Sequence, residues 1–138
     1  MKHAIKAIAA AAAFVFAFTA YGETWFYNVI NGTEAELCRG NSDAAVAPRP
    51  TGALTVPSKI SAYPVTSLGD YSFYNCWDMT SATLPDSVRN IGQGSFYECR
   101  ALAMIDGIDN VTNIGVFQVI YRRLHVLMGI WLNTIILR

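Results

Sequence analysis

One phrase returns at a fixed interval, and that interval limits the folds open to this chain. Val65 to Gly69 reads Val-Thr-Ser-Leu-Gly, Val88 to Gly92 reads Val-Arg-Asn-Ile-Gly, and Val111 to Gly115 reads Val-Thr-Asn-Ile-Gly, each 23 residues after the last. After the first two comes Ser-Phe-Tyr-x-Cys, at Ser72 to Cys76 and Ser95 to Cys99. Met79 and Leu102, Ala82 and Ile105, and Asp86 and Asp109 also fall in register. Self-similarity at this period marks a stacked array of short units.

Each unit has only a thin row of apolar groups. Val65, Leu68, Phe73, Cys76, Met79, Ala82 and Leu84 make one row, and Val88, Ile91, Phe96, Cys99, Leu102 and Ile105 make the next. One such row cannot exclude water alone, so the rows must stack into a continuous interior. Gly69, Gly92 and Gly115 recur where the chain bends after a short strand, which calls for a positive φ or a close approach of the next turn. Pro85, followed by Asp86 and Ser87, marks a second corner, since proline has no N–H to give a ladder. Phe73 to Cys76 and Phe96 to Cys99 are too short for an ordinary helix and predict a single helical or 3₁₀ turn with Phe inward. The expected fold is an α/β-type solenoid, a stack of short parallel strands with short helical or 3₁₀ turns, of about two and a half 23-residue repeats.

Outside the repeats the chain divides into further segments. Residues 1–20 carry Lys2 and Lys6 ahead of an Ala-rich run from Ala7 to Ala20, the pattern of an export leader rather than a membrane span. Cuts after Thr19, Ala20 or Gly22 are the candidates for its removal, and the alternative is an N-terminal helix kept in the fold. Residues 21–51 open with a strand around Trp25, Phe26 and Tyr27, turn at Asn31-Gly32 and return through Leu37 and Cys38. Asn31-Gly32-Thr33 also fits the glycosylation acceptor pattern. The stretch from 39 to 53, where Gly40, Asn41, Ser42, Asp43, Pro48, Pro50 and Gly52 crowd together with few large apolar groups, reads as irregular coil. Residues 52–115 hold the repeats, the first of which has a five-residue insertion around Tyr63-Pro64. In the atypical apolar tail, 116–138, the repeat grammar stops. Its clean run from Val126 to Leu137 is shorter than the roughly 20 residues a membrane helix needs. An amphipathic cap on the stack and a truncated or frame-shifted end both fit it, and membrane contact by the tail is disfavoured.

Charge and cysteine usage narrow the function. Ten basic residues balance ten acidic ones, and loss of Lys2 and Lys6 with a leader would leave a slight negative excess. Neither net charge nor a basic stripe supports nucleic-acid binding. Cys38, Cys76 and Cys99 are odd in number, so at least one is unpaired within the chain. Cys76 and Cys99 are repeat equivalents, about one strand spacing apart in a stack, which allows either a disulfide or a ladder of small buried hydrophobes.

For catalysis the inventory is thin. His3 lies in the leader and His125 in the tail, which leaves no histidine in the repeats. The cysteines are too far apart in sequence for a local zinc site. Asp70, Asp78, Asp86, Asp106 and Asp109 follow no calcium-loop pattern and read as solvated corners. No phosphate loop, dinucleotide fingerprint, nucleophile elbow or metalloprotease motif is present. The sequence therefore predicts no enzyme, no catalytic or metal-binding residues and no cofactor, and carries no sign of an oligomeric state. Tyr71, Tyr74, Trp77 and Tyr97 fall partly outside the core rows, so they are the candidate contacts to a protein or a glycan.

The phrases Gly52 to Pro57, Tyr63 to Cys76, Thr83 to Val88 and Ile91 to Cys99 together resemble the BspA-like leucine-rich-repeat proteins of bacterial surfaces. The resemblance covers 52–115 closely and 21–51 more loosely, where Trp25 to Thr33 is similar to the family's N-terminal cap hairpin. It implies a leucine-rich-repeat solenoid, secretion or cell-surface display, and adhesion through host or matrix proteins. It brings no catalytic residues. Set beside an independent adhesion module are a structural repeat fragment of a larger surface protein, a hydrolytic enzyme and a glycan-binding protein.

Overall fold

The computed structural model describes residues 15–40 and 43–115. The predicted leader up to residue 14, the tail from 116 and His125 lie outside them. Each repeat makes one coil with two strand sides. β7 (Tyr63–Leu68), β9 (Asn90–Ile91) and β11 (Asn113–Ile114) lie parallel in one sheet, while β5 (Gly52–Thr55), β8 (Met79–Thr83) and β10 (Met104–Asp106) lie parallel in another. Pairing follows the sequence period, with Leu68 opposite Ile91, Ile91 opposite Ile114 and Ala82 opposite Ile105. Short parallel strands of this kind require a crossover, and each crossover here is half a coil.

An antiparallel hairpin starts the stack. β2 (Glu23–Ile30) turns at Asn31 and Gly32, both at positive φ, and returns as β3 (Glu34–Leu37). β3 then pairs parallel with β7, with one register shift between Ala35 and Glu36, so the hairpin joins the first sheet. Residues 16–20, which the sequence assigns to a leader, form strand β1 (Phe16–Ala20) on the other edge of β2, not a helix.

The core lies between the two sheets. Val65, Leu68, Phe73, Cys76, Met79, Ala82, Leu84, Val88, Ile91, Phe96, Cys99 and Leu102 are all buried. Ile105 is half-buried, because β10 is the last strand described in its sheet. Phe73 and Phe96 stack with ring centres 5.4 Å apart, and Trp25 meets Phe73 edge-on at 6.5 Å. The hairpin thereby closes one end of the aromatic column.

Local expectations change at three places. The 73–76 and 96–99 segments are chains of hydrogen-bonded turns rather than 3₁₀ turns. Positive φ at Tyr71 and Asn75 in one coil, and at Gly94 and Glu98 in the next, interrupts any helical run. The 3₁₀ turn falls instead at the later corner, Ile108–Asn110. Residues 44–47, read as coil, are packed: Ala44, Ala45 and Val46 are buried, and β4 (Val46–Ala47) pairs with β2. Small alanines fill a space at the coil interior that a search for large apolar groups overlooks. The insertion before Val65 is a hairpin in which β6 (Lys59–Ile60) pairs with Tyr63 and Pro64 and buries Ile60.

Gly69, Gly92 and Gly115 do not adopt positive φ; their role is close approach. A Cβ on Gly92 would stand 2.5 Å from the Asp70 nitrogen, and one on Gly115 would stand 2.6 Å from the Gln93 nitrogen. At the other corner Pro85 accepts a hydrogen bond from the Val88 amide at 3.0 Å.

Candidate functional site

The turn segments between the sheets are laddered as tightly as the strands. The amides of Tyr71, Phe73 and Asn75 donate to the carbonyls of Gln93, Ser95 and Tyr97 at 2.8, 2.8 and 3.0 Å. This fixes repeat-equivalent side chains directly above one another. Phe73 and Cys76 are buried, while Tyr74 between them and its equivalent Tyr97 are partly exposed.

Outside, the result is an aromatic face in columns. Tyr74 and Tyr97 stack with centroids 5.7 Å apart and rings within 2° of parallel. Tyr71 meets Tyr74 edge-on at 5.9 Å. The equivalent of Tyr71 in the next coil is Gly94, where an added Cβ would lie 2.6 Å from Tyr71 Cε1, so the Tyr71 ring lies over that glycine. Trp77 is the most exposed of the four aromatics, at 53%. Its Nε1–H donates to Asn75 Oδ1 at 3.2 Å, and its own equivalent, Arg100, sits over the ring at 5.4 Å while pairing with Glu98 at 2.9 Å. All four predicted contact residues therefore share one surface. Arg100, Glu98 and Asn75 complete it and were missed by sequence reasoning. The available signal was position: Arg100 stands 23 residues after Trp77, outside the matching phrases.

A second surface was missed altogether. Register places Asn28, Glu36, Ser67, Asn90 and Asn113 in one row across five strands. Asn113 Nδ2 donates to Asn90 Oδ1 at 2.8 Å, and Asn90 Nδ2 donates to Ser67 Oγ at 3.1 Å. The sequence signal was the small polar residue third in each repeated phrase. Burial, and then the charge of Asp70, raises the Glu36 carboxyl above the ordinary carboxylate range against a hydrogen bond from Asn28. The row ties coils together and holds no paired nucleophile and base.

The cysteines are reduced and buried. Cys99 Sγ donates to the Phe73 carbonyl at 3.1 Å, and its contact with the Cys76 thiol, followed by burial, pushes it upward. Burial and Glu36 push the Cys38 thiol up to about 11. Among the described residues no group of three or more His, Cys, Asp or Glu gathers to hold a metal ion. Asp70, predicted as a solvated corner, accepts the Gln93 amide at 2.7 Å and so joins two coils.

With coils, sheets and register in place, similarity to known proteins becomes informative. The model described as BspA type leucine rich repeat region (6 copies) matches residues 55–122. A solved leucine-rich-repeat protein from T. pallidum is 28% identical with a TM-score of 0.55, over 65% of this chain and 39% of its own. The fold is leucine-rich-repeat-like and related to the BspA type. A leucine-rich cell surface protein from Faecalibacterium prausnitzii also aligns, at 20% identity and a TM-score of 0.44, over 72% of this chain and 32% of its own. The chain thus spans well under half the length of either solved protein. No curated protein matches it.

Proposed function

We propose that the protein is an exported, surface-associated module that binds other proteins in an adhesion-type role, with the aromatic face as its contact surface. One observation carries the reading. Tyr74 and Tyr97 are stacked in register on the outside of the coils, flanked by Tyr71 and by Trp77 with Arg100 over it. Tyr, Trp and Arg supply large contact area at low entropic cost and dominate binding energy at protein interfaces. Backbone ladders beneath them hold the rings in place before any partner arrives, which lowers the ordering penalty on binding. The leucine-rich-repeat-like fold supports the same reading, since such folds often serve protein–protein contacts. Export rests on the basic, Ala-rich leader, and host or matrix protein is the partner class that the BspA resemblance implies. No cofactor enters this function, and catalysis has no place in it.

The test pairs binding with folding. The wild-type chain and a Tyr74→Ala/Tyr97→Ala variant are compared on immobilised matrix proteins and on glycans, with circular dichroism and urea unfolding run alongside. Removal of two interface tyrosines should weaken protein binding by about tenfold or more while the fold persists. Unchanged binding, or loss of binding only together with loss of fold, overturns the proposal. Retention on glycans alone assigns the face to sugar recognition instead. A second reading, a repeat segment of a larger surface protein with no binding role of its own, is favoured by the 39% span of the T. pallidum protein.

A further inference from the structure

β2 has two edges, and only one belongs to the solenoid. β3 and β4 pair along the first. Along the second lies β1, antiparallel, with Phe16 opposite Tyr27, Phe18 opposite Trp25 and Ala20 opposite Glu23. Phe16 lies against the Tyr27 ring at 5.5 Å. Trp25 and Tyr27 are only 4% and 7% exposed with this strand in place, yet Phe16 and Phe18 themselves remain 46% and 39% exposed. β1 is thus a cover for the edge rather than a member of the core. Beside it a cleft of about 570 Å³ runs between Phe18, Ala20, Trp25, Thr55, Pro57 and Lys59.

The same residues end the predicted leader. β1 joins β2 through Tyr21 and Gly22, both at positive φ, and Tyr21 is fully exposed. The candidate cleavage points after Thr19, Ala20 and Gly22 lie in or beside that open turn. Cutting there separates β1 from the edge it covers. It leaves unpaired the backbone groups of Glu23 to Tyr27 that face β1, and it bares part of the Trp25 and Tyr27 rings.

We propose that this edge of β2 is a strand-accepting site: β1 holds it in the full chain, leader removal vacates it, and an extended segment of another polypeptide with large apolar side chains at alternate positions takes its place. β1 itself shows what fits, since Phe16 and Phe18 fall two residues apart on the face that covers Tyr27 and Trp25. Backbone pairing supplies affinity and the alternate side chains supply selectivity. A second copy of β2 is a poor occupant. Its own large residues on that face, Trp25 and Tyr27, are turned into its own core and have nothing left to lay over the rings. The vacating step rests on the export reading; the affinity of the edge does not.

The full chain tests this without removing any residue. Phe18→Pro/Thr19→Pro displaces β1, because adjacent positions in an antiparallel strand face alternate sides and one of the two prolines removes a ladder donor. The probe is a fluorescein-labelled peptide of residues 15–20, Val-Phe-Ala-Phe-Thr-Ala, followed by anisotropy and by hydrogen exchange. A strand tethered through a two-residue turn competes at an effective concentration of about millimolar, so the variant should bind the peptide about tenfold or more tightly than wild type. Amides within 23–27 should gain protection in the bound variant. A Phe16→Ser/Phe18→Ser chain, which keeps every backbone donor, reports the same competition should the proline variant fail to fold. Equal binding to wild type and variants, protection elsewhere in the chain, or a variant dimer that excludes the peptide would overturn the site. The mass of the chain secreted by an exporting host tests the leader separately: residues 1–20 still attached there would overturn the vacating step even where the peptide binds.

Discussion

Gly92→Ala is the sharpest probe of how the coils meet. Gly92 is not in the left-handed region, so alanine suits its backbone and by itself would stiffen the unfolded chain, a gain of about 0.4–1 kcal/mol. Space decides otherwise. The new Cβ would lie 2.5 Å from the Asp70 nitrogen and 2.6 Å from both Asp70 Oδ1 and the Gly69 carbonyl carbon, where 3.4 Å is the lower limit of ordinary contact. Two of these three atoms are backbone, so the coils must part by nearly an ångström. That movement strains the Gly92 amide bond to the Leu68 carbonyl at 2.7 Å and the Gln93 amide bond to Asp70 at 2.7 Å. Overpacking costs about 1–3 kcal/mol and each of the two weakened hydrogen bonds about 1 kcal/mol, so after the entropic offset the net loss is about 2–4.5 kcal/mol. Urea unfolding followed by tryptophan fluorescence should show a lower midpoint at unchanged slope. Gly40→Ala is the control. Nothing lies within 4 Å of its added Cβ, and only its positive φ opposes the change, at about 1–2 kcal/mol. Should Gly92→Ala prove no more costly than wild-type scatter, the argument from close approach fails.

Two further outcomes follow from the same geometry. A double-mutant cycle on Phe73→Leu and Phe96→Leu should return a coupling of about 0.5–1.5 kcal/mol, reflecting the 5.4 Å stack; strict additivity in chemical denaturation would place the rings in separate environments. For Glu36, burial and Asp70 raise the folded-state carboxyl above its ordinary value, so the folded chain holds more protons there than the unfolded one. Its contribution to stability is fully present below the ordinary carboxylate range and is lost as pH rises through the raised value. Glu36→Gln should therefore gain stability relative to wild type at neutral pH and show a smaller difference in acid, as read from midpoints across a pH series. A gain of equal size at every pH would contradict that assignment.

The aromatic face was half legible before any coordinates. Tyr74 and Tyr97 announce themselves by spacing, since residues 23 apart in a regular coil must lie one above the other. Arg100 over Trp77 obeys the same interval but pairs unlike residue types, and likeness was what the comparison of phrases detected. The Asn113–Asn90–Ser67 chain was hidden for a similar reason: small polar residues in a repeated phrase look like solvated positions until strand register joins them.

The interval of 23 by itself determined that equivalent side chains share rows and that Phe73 lies beside Phe96, because a periodic chain can bury a thin apolar row only by stacking it. Tertiary structure alone decided the parts with no repeat partner to read against. Ala44 to Val46 are buried because β2 passes beside them, the insertion closes as a hairpin because Ile60 finds the core, and β1 takes the edge that β2 leaves open. It also chose between two roles for Gly92, since whether a glycine supplies a positive φ or room for a neighbour depends on how near the adjacent coil comes. Periodicity fixes which residues meet between like units; where the units end, contacts between unlike and distant segments set the packing.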